Sequence, residues 1–583
     1  MVLSSFRFGP YEVDLRAHEL RKRGLRIKLR EKSFEILVCL LEHPTEVVTR
    51  EQLRRQLWPE DVFVNFDDSL NTAVNRLRDA LGERARGRRY IETLHGTGYR
   101  FIAPVEQVRG ATPTLAVLPF ENMSHAPDED FLGDAMADAL TTELGNVSSL
   151  RIISRQSVLH FKGSVRTAPD IAKELRVDAI VEGSVLRAGD RIRITAQLVQ
   201  IAPEQHLWAK AYQFALRDIL TTLDEVARAI AEAVQVALTP GELARLSRPR
   251  PVDPEAHLAY LRGLHHLGRW TRESLRMALE YFQSAVNKDP GHALAYAQMA
   301  DCYGHLGFWG HMPIQEAYRK AKEAAITALR LDEQLSTAHW AYAWSSLCHD
   351  RDLATCEAET VRAIQLNPSE AHAHEAYAFL LAWTTEDYAH AVNEIGQALA
   401  LDPLSQRGNA FAAWVYLWVK DFARAKEQAR KTLELFPEAL HAYYALGLAE
   451  LCQSRHAEAI AALEKAVAIS PDPISITYLG CALARAGRTK ATLSVLDDLL
   501  QTSEREPVPP RCFVFLYAEL GNLDLAFEWL ERAYESHDTG LLALRVMPLY
   551  EGLRADPRYR QMLRRLGIPR RIGSSVECVR GAR

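Results

Sequence analysis

The sequence predicts a multidomain chain in which an α+β unit, an α/β unit and a long all-α array follow one another. At 583 residues the chain exceeds what one core serves, since a domain takes roughly 100–200 residues. Apolar periodicity is mixed, strand-like and helix-like, up to about residue 240 and purely helical afterwards. Beyond residue 255 prolines recur at near-constant spacing, the mark of a repeat.

Composition narrows the class. With 48% hydrophobic and 25% charged residues the chain has the balance of folded soluble domains rather than of disordered or collagen-like ones. It holds no run of about 18 apolar residues, and MVLSSFRFGPYEV lacks the basic-then-apolar pattern of a secretory leader. The expectation is a cytoplasmic protein with no membrane contact. Eight cysteines run from Cys39 to Cys578 without a C-x-x-C pair or zinc-type histidine spacing, which predicts reduced core thiols and no metal site. Net charge is −5, but residues 1–105 carry 19 Lys+Arg against 15 Asp+Glu, leaving 51 against 60 for the rest. The basic charge sits at the front, where a nucleic-acid partner would need it.

In the first unit, residues 1–105, EKSFEILVCLLEHP places Phe34, Leu37, Val38 and Leu41 at helical spacing, with Pro44 as terminator. Thr49 and Gln52 form a capping box for a second helix carrying Leu53 and Leu57, which ends near Trp58 and Pro59. After the loop PEDVFVNF, Asp67 or Asp68 is positioned to cap a third helix, whose Leu70, Val74, Leu77 and Leu81 form one stripe and which Gly82 stops. Its other face offers Thr72, Asn75 and Arg76, flanked by Asn71 and Arg78, groups suited to base edges and phosphates. Arg84, Arg86, Arg88 and Arg89 follow, then RYIETLHGTGYRFI reads as two strands turning at His95 to Gly98. Helix, arginines and hairpin make a winged helix.

From about Pro104, APVEQVRGATP reads as a connector. The second unit, residues 113–240, opens with the buried-strand run LAVLP and contains a hairpin. AIVEGSVLR and RIRITAQLV flank Ala188, Gly189 and Asp190, and Ile192, Ile194, Ala196 and Leu198 alternate with Arg191, Arg193, Thr195 and Gln197. Pro240, Pro249, Pro251 and Pro254 mark residues 241–254 as a linker. In residues 255–540, Pro290, Pro368, Pro403, Pro437 and Pro471 close successive units, Glu333 standing in for one more, with spacings that settle at 34 to 35 residues. Five positions before the markers sit Ala285, Ala328, Ala363, Ala398, Thr432 and Ala466, small enough for two helices to approach. This is the tetratricopeptide pattern, about eight repeats of it, and residues 541–569 read as its C-terminal cap.

Four motifs in order and spacing, LREKSFEILVCLLEHP, VVTREQLRRQLWP, SLNTAVNRLRDALG and IETLHGTGYRF, make residues 6–104 resemble the OmpR-type winged-helix domain that CadC- and ToxR-like regulators also carry. The resemblance implies a small N-terminal sheet, here FGPYEVDLRAHEL, a third helix in the major groove, and a hairpin touching the minor groove. Arg76 would then read base edges, Thr93, Tyr99 and Arg100 would meet the backbone, and His95 would sit at the wing tip, where many relatives carry arginine. The resemblance opens at residue 6, so no phosphorylatable receiver is expected ahead of it and control is expected from the C-terminal side. TLAVLPFENMS, FLGDAMADALTTEL, DAIVEGSV and RIRITAQLV make the second unit similar to the TolB-N-terminal or FlgO-like module, which implies assembly or sensing and no particular residues.

Plainer readings stand beside these. His95 reads first as a turn residue, and Asp128, Glu129, Asp130 and Asp134 as helix-start acids favoured by the dipole rather than metal ligands. His265, His266, His372 and His374 lack metalloprotease spacing and read as packing residues. Trp340, Trp344, Trp414 and Trp418 read as interhelical core, with some lining a concave groove. No P-loop, nucleophile elbow or dinucleotide fingerprint is present, so no catalytic residue, enzyme activity or cofactor is expected. The partners implied are double-stranded DNA, RNA polymerase and a protein or peptide at the repeats, with a homodimer on DNA as an option. The alternative is a repeat scaffold whose winged helix docks to protein instead.

Overall fold

A computed structural model of the chain describes residues 3–568 apart from 15–18, 23–24, 28, 58–65, 84–88, 95, 110–111, 125–130, 165, 202–203, 235, 237, 248–252, 268–271, 309–310 and 386. It divides into two compact units, Met1–Thr112 and Pro113–Arg583.

The first unit begins with an antiparallel run of strands, β1 (Leu3–Phe8), β2 (Tyr11–Asp14), β3 (Glu19–Lys22) and β4 (Leu25–Ile27). The helix α1 (Glu31–Glu42), the short β5 (Val47–Thr49), α2 (Arg50–Leu57) and α3 (Phe66–Ala80) follow. The hairpin β6 (Ile91–Leu94) and β7 (Gly98–Phe101) pairs with β5 in the order β5-β7-β6. A Cβ on Gly98 would lie 2.1 Å from the Val48 carbonyl oxygen, so only glycine lets these two backbones meet. Phe6, Phe8, Tyr11, Leu37, Leu70, Leu77 and Phe101 belong to one core shared by sheet, helices and hairpin.

Two expectations need correction here. The stretch read as a connector contains β8 (Glu106–Arg109), which pairs antiparallel with β1 and completes a five-stranded sheet β4-β3-β2-β1-β8. Backbone ladder bonds to a strand about a hundred residues earlier outweigh its weak apolar pattern. And α3 starts at Phe66, so Asp67 and Asp68 fall inside the helix rather than before it.

In the second unit β9 (Thr114–Val117) lies between β11 (Arg151–Ile152) and β12 (Ala179–Ala188), parallel to both, with β10 (Glu121–Asn122) also parallel to β12. β13 (Arg191–Ile201) and β14 (Glu204–Ala215) continue antiparallel, giving β11-β9-β12-β13-β14. Ile192, Ile194, Ala196 and Leu198 are buried, and their neighbours are turned outward as the alternation requires. The accompanying helices are α4 (Phe131–Gly145), α5 (Arg155–Leu159), α6 (Ala168–Leu175) and α7 (Ile219–Ala233).

The proline-rich linker is not wholly extended. α8 (Pro240–Leu246) occupies its start, with Pro240 at the first helical position, where no N–H is needed, and Thr239 and Glu242 in a reciprocal capping box. The helix pairs that follow are α9 (Pro254–Leu267) and α10 (Arg272–Lys288), α11 (Ala293–Phe308) and α12 (Ile314–Leu331), α13 (Ser336–Asp350) and α14 (Leu353–Leu366), α15 (Ala371–Thr384) and α16 (Tyr388–Leu401). Then come α17 (Gln406–Trp418) and α18 (Phe422–Leu435), α19 (Leu440–Cys452) and α20 (His456–Ile469), α21 (Pro473–Arg485) and α22 (Thr489–Ser503), α23 (Pro510–Glu519) and α24 (Leu523–Glu535). All six small marker residues from Ala285 to Ala466 are buried, where each pair's helices close on one another.

The α/β module docks onto the interhelical loops of these repeats. Ser157 gives both its backbone N–H (3.1 Å) and its hydroxyl (2.6 Å) to the Asp402 carboxylate, Ser154 N–H donates to the Leu401 carbonyl (2.7 Å), and Ile152 N–H to the Ser369 hydroxyl (3.0 Å). The C-terminal segment, two 3-10 turns at Thr539–Ala543 and Pro548–Leu553 followed by α25 (Pro557–Arg565), does more than close the end of the array. It folds back, and Arg545 reaches the Thr384 carbonyl of α15 (3.4 Å). Among the described residues no helix is long and apolar enough to cross a membrane.

Candidate nucleic-acid interface

α3 is the centre of the candidate surface because three local devices fix which way it faces. Its stripe Leu70, Val74, Leu77 and Leu81 is buried. Ser33 Oγ of α1 donates to the Ala73 carbonyl (2.9 Å), and Tyr11 Oη donates to the Leu81 carbonyl (2.6 Å). At its end Gly82 adopts φ +66°, Gly82 N–H bonds the Asp79 carbonyl and Glu83 N–H the Arg78 carbonyl, the paired bonds of a Schellman stop. Asn71, Thr72, Asn75 and Arg76 are left exposed on the opposite face.

The hairpin is locked to that helix by Glu83 and Arg78. Glu83, one residue past the stop, accepts at Oε1 the backbone N–H groups of Arg89 (3.0 Å), Tyr90 and Ile91 (3.0 Å), which pins the start of β6 to the end of α3. Arg78, expected among the DNA contacts, instead donates to the Ile91 carbonyl (3.1 Å) and the Thr93 hydroxyl (2.6 Å) and lies 3.6 Å from Glu83. Thr93 is thereby engaged inside the unit. Tyr99 is only 2% exposed; its hydroxyl donates to Asn71 Oδ1 (3.0 Å). Arg100 holds Glu92 across the hairpin through Nε at 2.9 Å. The structure therefore separates the sequence-selected residues into an exposed set and a set that braces helix against hairpin. His95, Arg86, Arg88 and Arg84 lie outside the described residues, as do Asp128, Glu129 and Asp130; Arg89 is exposed.

Two features escaped the sequence reading. Arg50, at the first position of α2, donates to Asn71 Oδ1 (2.7 Å) and to the Tyr99 hydroxyl (3.2 Å), orienting the amide from below. The signal was the capping box before it, which is formed in both directions, Thr49 N–H to Gln52 Oε1 (2.7 Å) and Gln52 N–H to Thr49 Oγ1 (3.1 Å). Arg30 and Lys32 at the start of α1 share a shallow cleft of about 500 Å³ with Ser69, Thr72 and Arg76 of α3. A helix N-terminus and basic side chains there suit an anionic oxygen.

Elsewhere, the repeat histidines make packing contacts. His374 lies between Glu394 (2.7 Å) and the Pro368 carbonyl (3.2 Å), and burial pushes His372 down to about 3. Trp340, Trp414 and Trp418 are buried and Trp344 partly so.

Fold and surface together define the first unit as a winged-helix DNA-binding domain of the OmpR/PhoB type, and residues 24–101 match the family described as transcriptional regulatory protein, C terminal. Among curated relatives, a putative adenylate cyclase 3 of Rhizobium meliloti (strain 1021) is 37% identical over 190 residues, 33% of this chain and 32% of that protein. The transcriptional regulator HilA of Salmonella typhimurium (strain LT2) is 28% identical over 336 residues, 56% of this chain and 58% of HilA. The crystal structure of the Klebsiella pneumoniae RstA DNA-binding domain in complex with RstA box aligns with 17% of this chain and 96% of its own, at 26% identity and a TM-score of 0.16. The chain thus spans about a third and just under three fifths of the lengths of these two curated relatives.

Proposed function

We propose that this protein is a sequence-specific DNA-binding transcriptional regulator acting in the cytoplasm. The observation that carries the reading is the exposed polar face of α3, held at a fixed angle to the hairpin by Glu83 and Arg78. α3 enters the major groove, Arg76 reads base edges with Asn75 and Thr72 beside it, and Asn71 is oriented for the task by Arg50. Arg30, Lys32 and the arginines 86, 88 and 89 neutralise phosphates, so affinity falls with salt. Arg78, Tyr99 and Thr93 act by positioning. The repeats bind a protein or peptide, RNA polymerase being one candidate, and two copies serve two half-sites. The cyclase-named relative is matched over 32% of its own length, so its name brings no catalytic step into this reading.

A gel-shift titration of the intact protein on the DNA upstream of its own gene, at two salt concentrations, tests the proposal. Arg76→Ala is expected to weaken specific binding by about 1–3 kcal/mol, roughly 5- to 150-fold, and to relax preference at one base pair. Equal affinity of Arg76→Ala and the parent for every duplex would remove the base-reading role; no binding at low salt would remove DNA altogether.

A further inference from the structure

A polar cavity lies where the α/β module meets the repeats, and none of the preceding roles uses it. α4 and α5 wall it on one side, and α9, α11, α13 and the start of α15 on the other. The centre of a water molecule is free to move through about 130 Å³ of it, close to the roughly 150 Å³ of an engineered cavity that holds one benzene. Leu264, Leu267 and Leu294 give it an apolar side.

The remaining wall carries an excess of negative charge. Among the described residues it holds three carboxylates, Asp138 of α4, Asp301 of α11 and Glu370 at the start of α15, against one guanidinium, Arg155 of α5. Arg155 donates to the Leu264 carbonyl (2.9 Å) and stands 3.8 Å from Asp138. Asp301, 4% exposed, meets His305 at 2.7 Å, and Glu370 meets His372 at 3.5 Å. Burial holds His305 below its ordinary range and His372 down at about 3, so neither imidazole is a cation near pH 7. Burial, with the charge of Asp301 nearby, pushes Glu370 up to about 7, the response of a carboxyl that lacks a cation. Arg407, whose field reaches Asp301, is itself paired with Glu375 (2.9 Å). Carboxylates held away from bulk water with too few cations call for positive charge from elsewhere.

Tyr260 of α9 adds a bond left unmade. It is 5% exposed, its ring packs on His292 (centroids 4.9 Å) and Phe282 (5.8 Å), and its hydroxyl lies in the field of Asp138 and Arg155 without a hydrogen bond to any described residue. Buried hydroxyls are normally bonded, and Tyr260 lines the cavity. No three histidine, cysteine or acidic side chains among the described residues are grouped to hold a metal ion, so the missing charge belongs to an organic cation. We propose that the cavity binds a small protonated amine on an apolar body of about four to six heavy atoms. Its N–H groups meet Asp138 and the Tyr260 hydroxyl, Asp301 and Glu370 supply the field, and the body rests on the leucines. The walls come from both module and repeats, so the guest ties one to the other. The site lies wholly within the second unit and stands or falls independently of DNA recognition.

Titration calorimetry of the full chain at pH 7.5 with three probes of one size, n-butylammonium, 1-butanol and butyrate, tests this alongside ligand-observed NMR. Saturable binding of n-butylammonium is expected, at least about tenfold tighter than that of 1-butanol, a difference of about 1.4 kcal/mol, and butyrate should bind more weakly than either. Asp138→Asn keeps the shape of the wall and removes one charge, so it should weaken n-butylammonium about tenfold or more and leave 1-butanol unchanged. Tyr260→Phe removes one hydroxyl and should weaken the amine several-fold. Should Asp138→Asn disturb folding, seen as a changed circular dichroism spectrum, Tyr260→Phe alone decides. n-Butylammonium that fails to saturate, binds no tighter than 1-butanol, or binds a folded variant as well as the parent, as association with the acidic surface would, overturns the proposal. DNA affinity measured on the same preparation reports separately on the regulator reading.

Discussion

α3 and α15 are nearly the same length, 15 and 14 residues, yet they face opposite demands. α3 buries one stripe and shows an amide, a hydroxyl and a guanidinium to solvent. In α15 every residue is buried apart from the half-buried His372, because its neighbours in the array enclose it. A helix with one wet face is available to read something outside the protein; a helix enclosed all round is architecture. The difference marks which of the two helices has a face free to meet a macromolecule.

Substitutions sharpen the contrast. Trp383→Ala in α15 removes a fully buried ring and is expected to cost about 3–5 kcal/mol of stability, measured by urea unfolding of the whole chain, while duplex binding is unaffected below the transition. In the first unit, Arg78→Ala leaves Glu83 without its cation and cuts two bonds from α3 to β6, which should cost about 2–3 kcal/mol. DNA affinity should fall with it although Arg78 is turned inward; unchanged affinity and stability would show that the brace is dispensable.

A third test addresses docking of the α/β module on the repeats. Burial pushes the Asp402 carboxyl up to about 6, against bonds from Ser157 that favour its charged form. The unfolded chain titrates near 3.9. A carboxyl raised in the folded state contributes stability that is complete below about pH 4 and is lost as pH climbs through about 6. Asp402→Asn keeps an acceptor for Ser157 and carries no charge, so at pH 7.5 it should stabilise the second unit by about 2 kcal/mol, and the advantage should vanish near pH 4 in thermal melts run across the range. A constant difference at every pH would mean that Asp402 is ionised throughout. The smallest effect is expected on α3 itself: Asn75→Ala should change stability by less than about 0.5 kcal/mol while lowering specific DNA affinity, the signature of a residue that serves a partner rather than the fold.

The first unit was legible because its instructions are short-range. The Thr49–Gln52 box, the Leu70–Leu81 stripe and the Gly82 stop each lie within a dozen residues, and each forms as the spacing demands. β8 was not legible, since EQVR has no alternation and its partner β1 lies at the far end of the unit. α8 was hidden by proline, which breaks a helix from inside but begins one without penalty. The two classes of arginine could not be separated in sequence either. A guanidinium offers the same fork to a guanine edge and to a backbone carbonyl, and only the distance from Arg78 to Ile91 and Thr93 decides between them. The seat of the α/β module, Ser157 on Asp402, joins residues 245 positions apart, beyond any local pattern.

The strand β8 also determines how mechanical force enters the DNA-binding unit. The chain leaves that unit through Glu106–Arg109, which runs antiparallel along β1 over the registers Arg7 with Glu106 to Leu3 with Arg109. Tension on the segment that follows is therefore met first at the Leu3–Arg109 end of the ladder, at the rim of the sheet. A tug from the C-terminal side would load this rim first, through the backbone bonds that join β8 to β1.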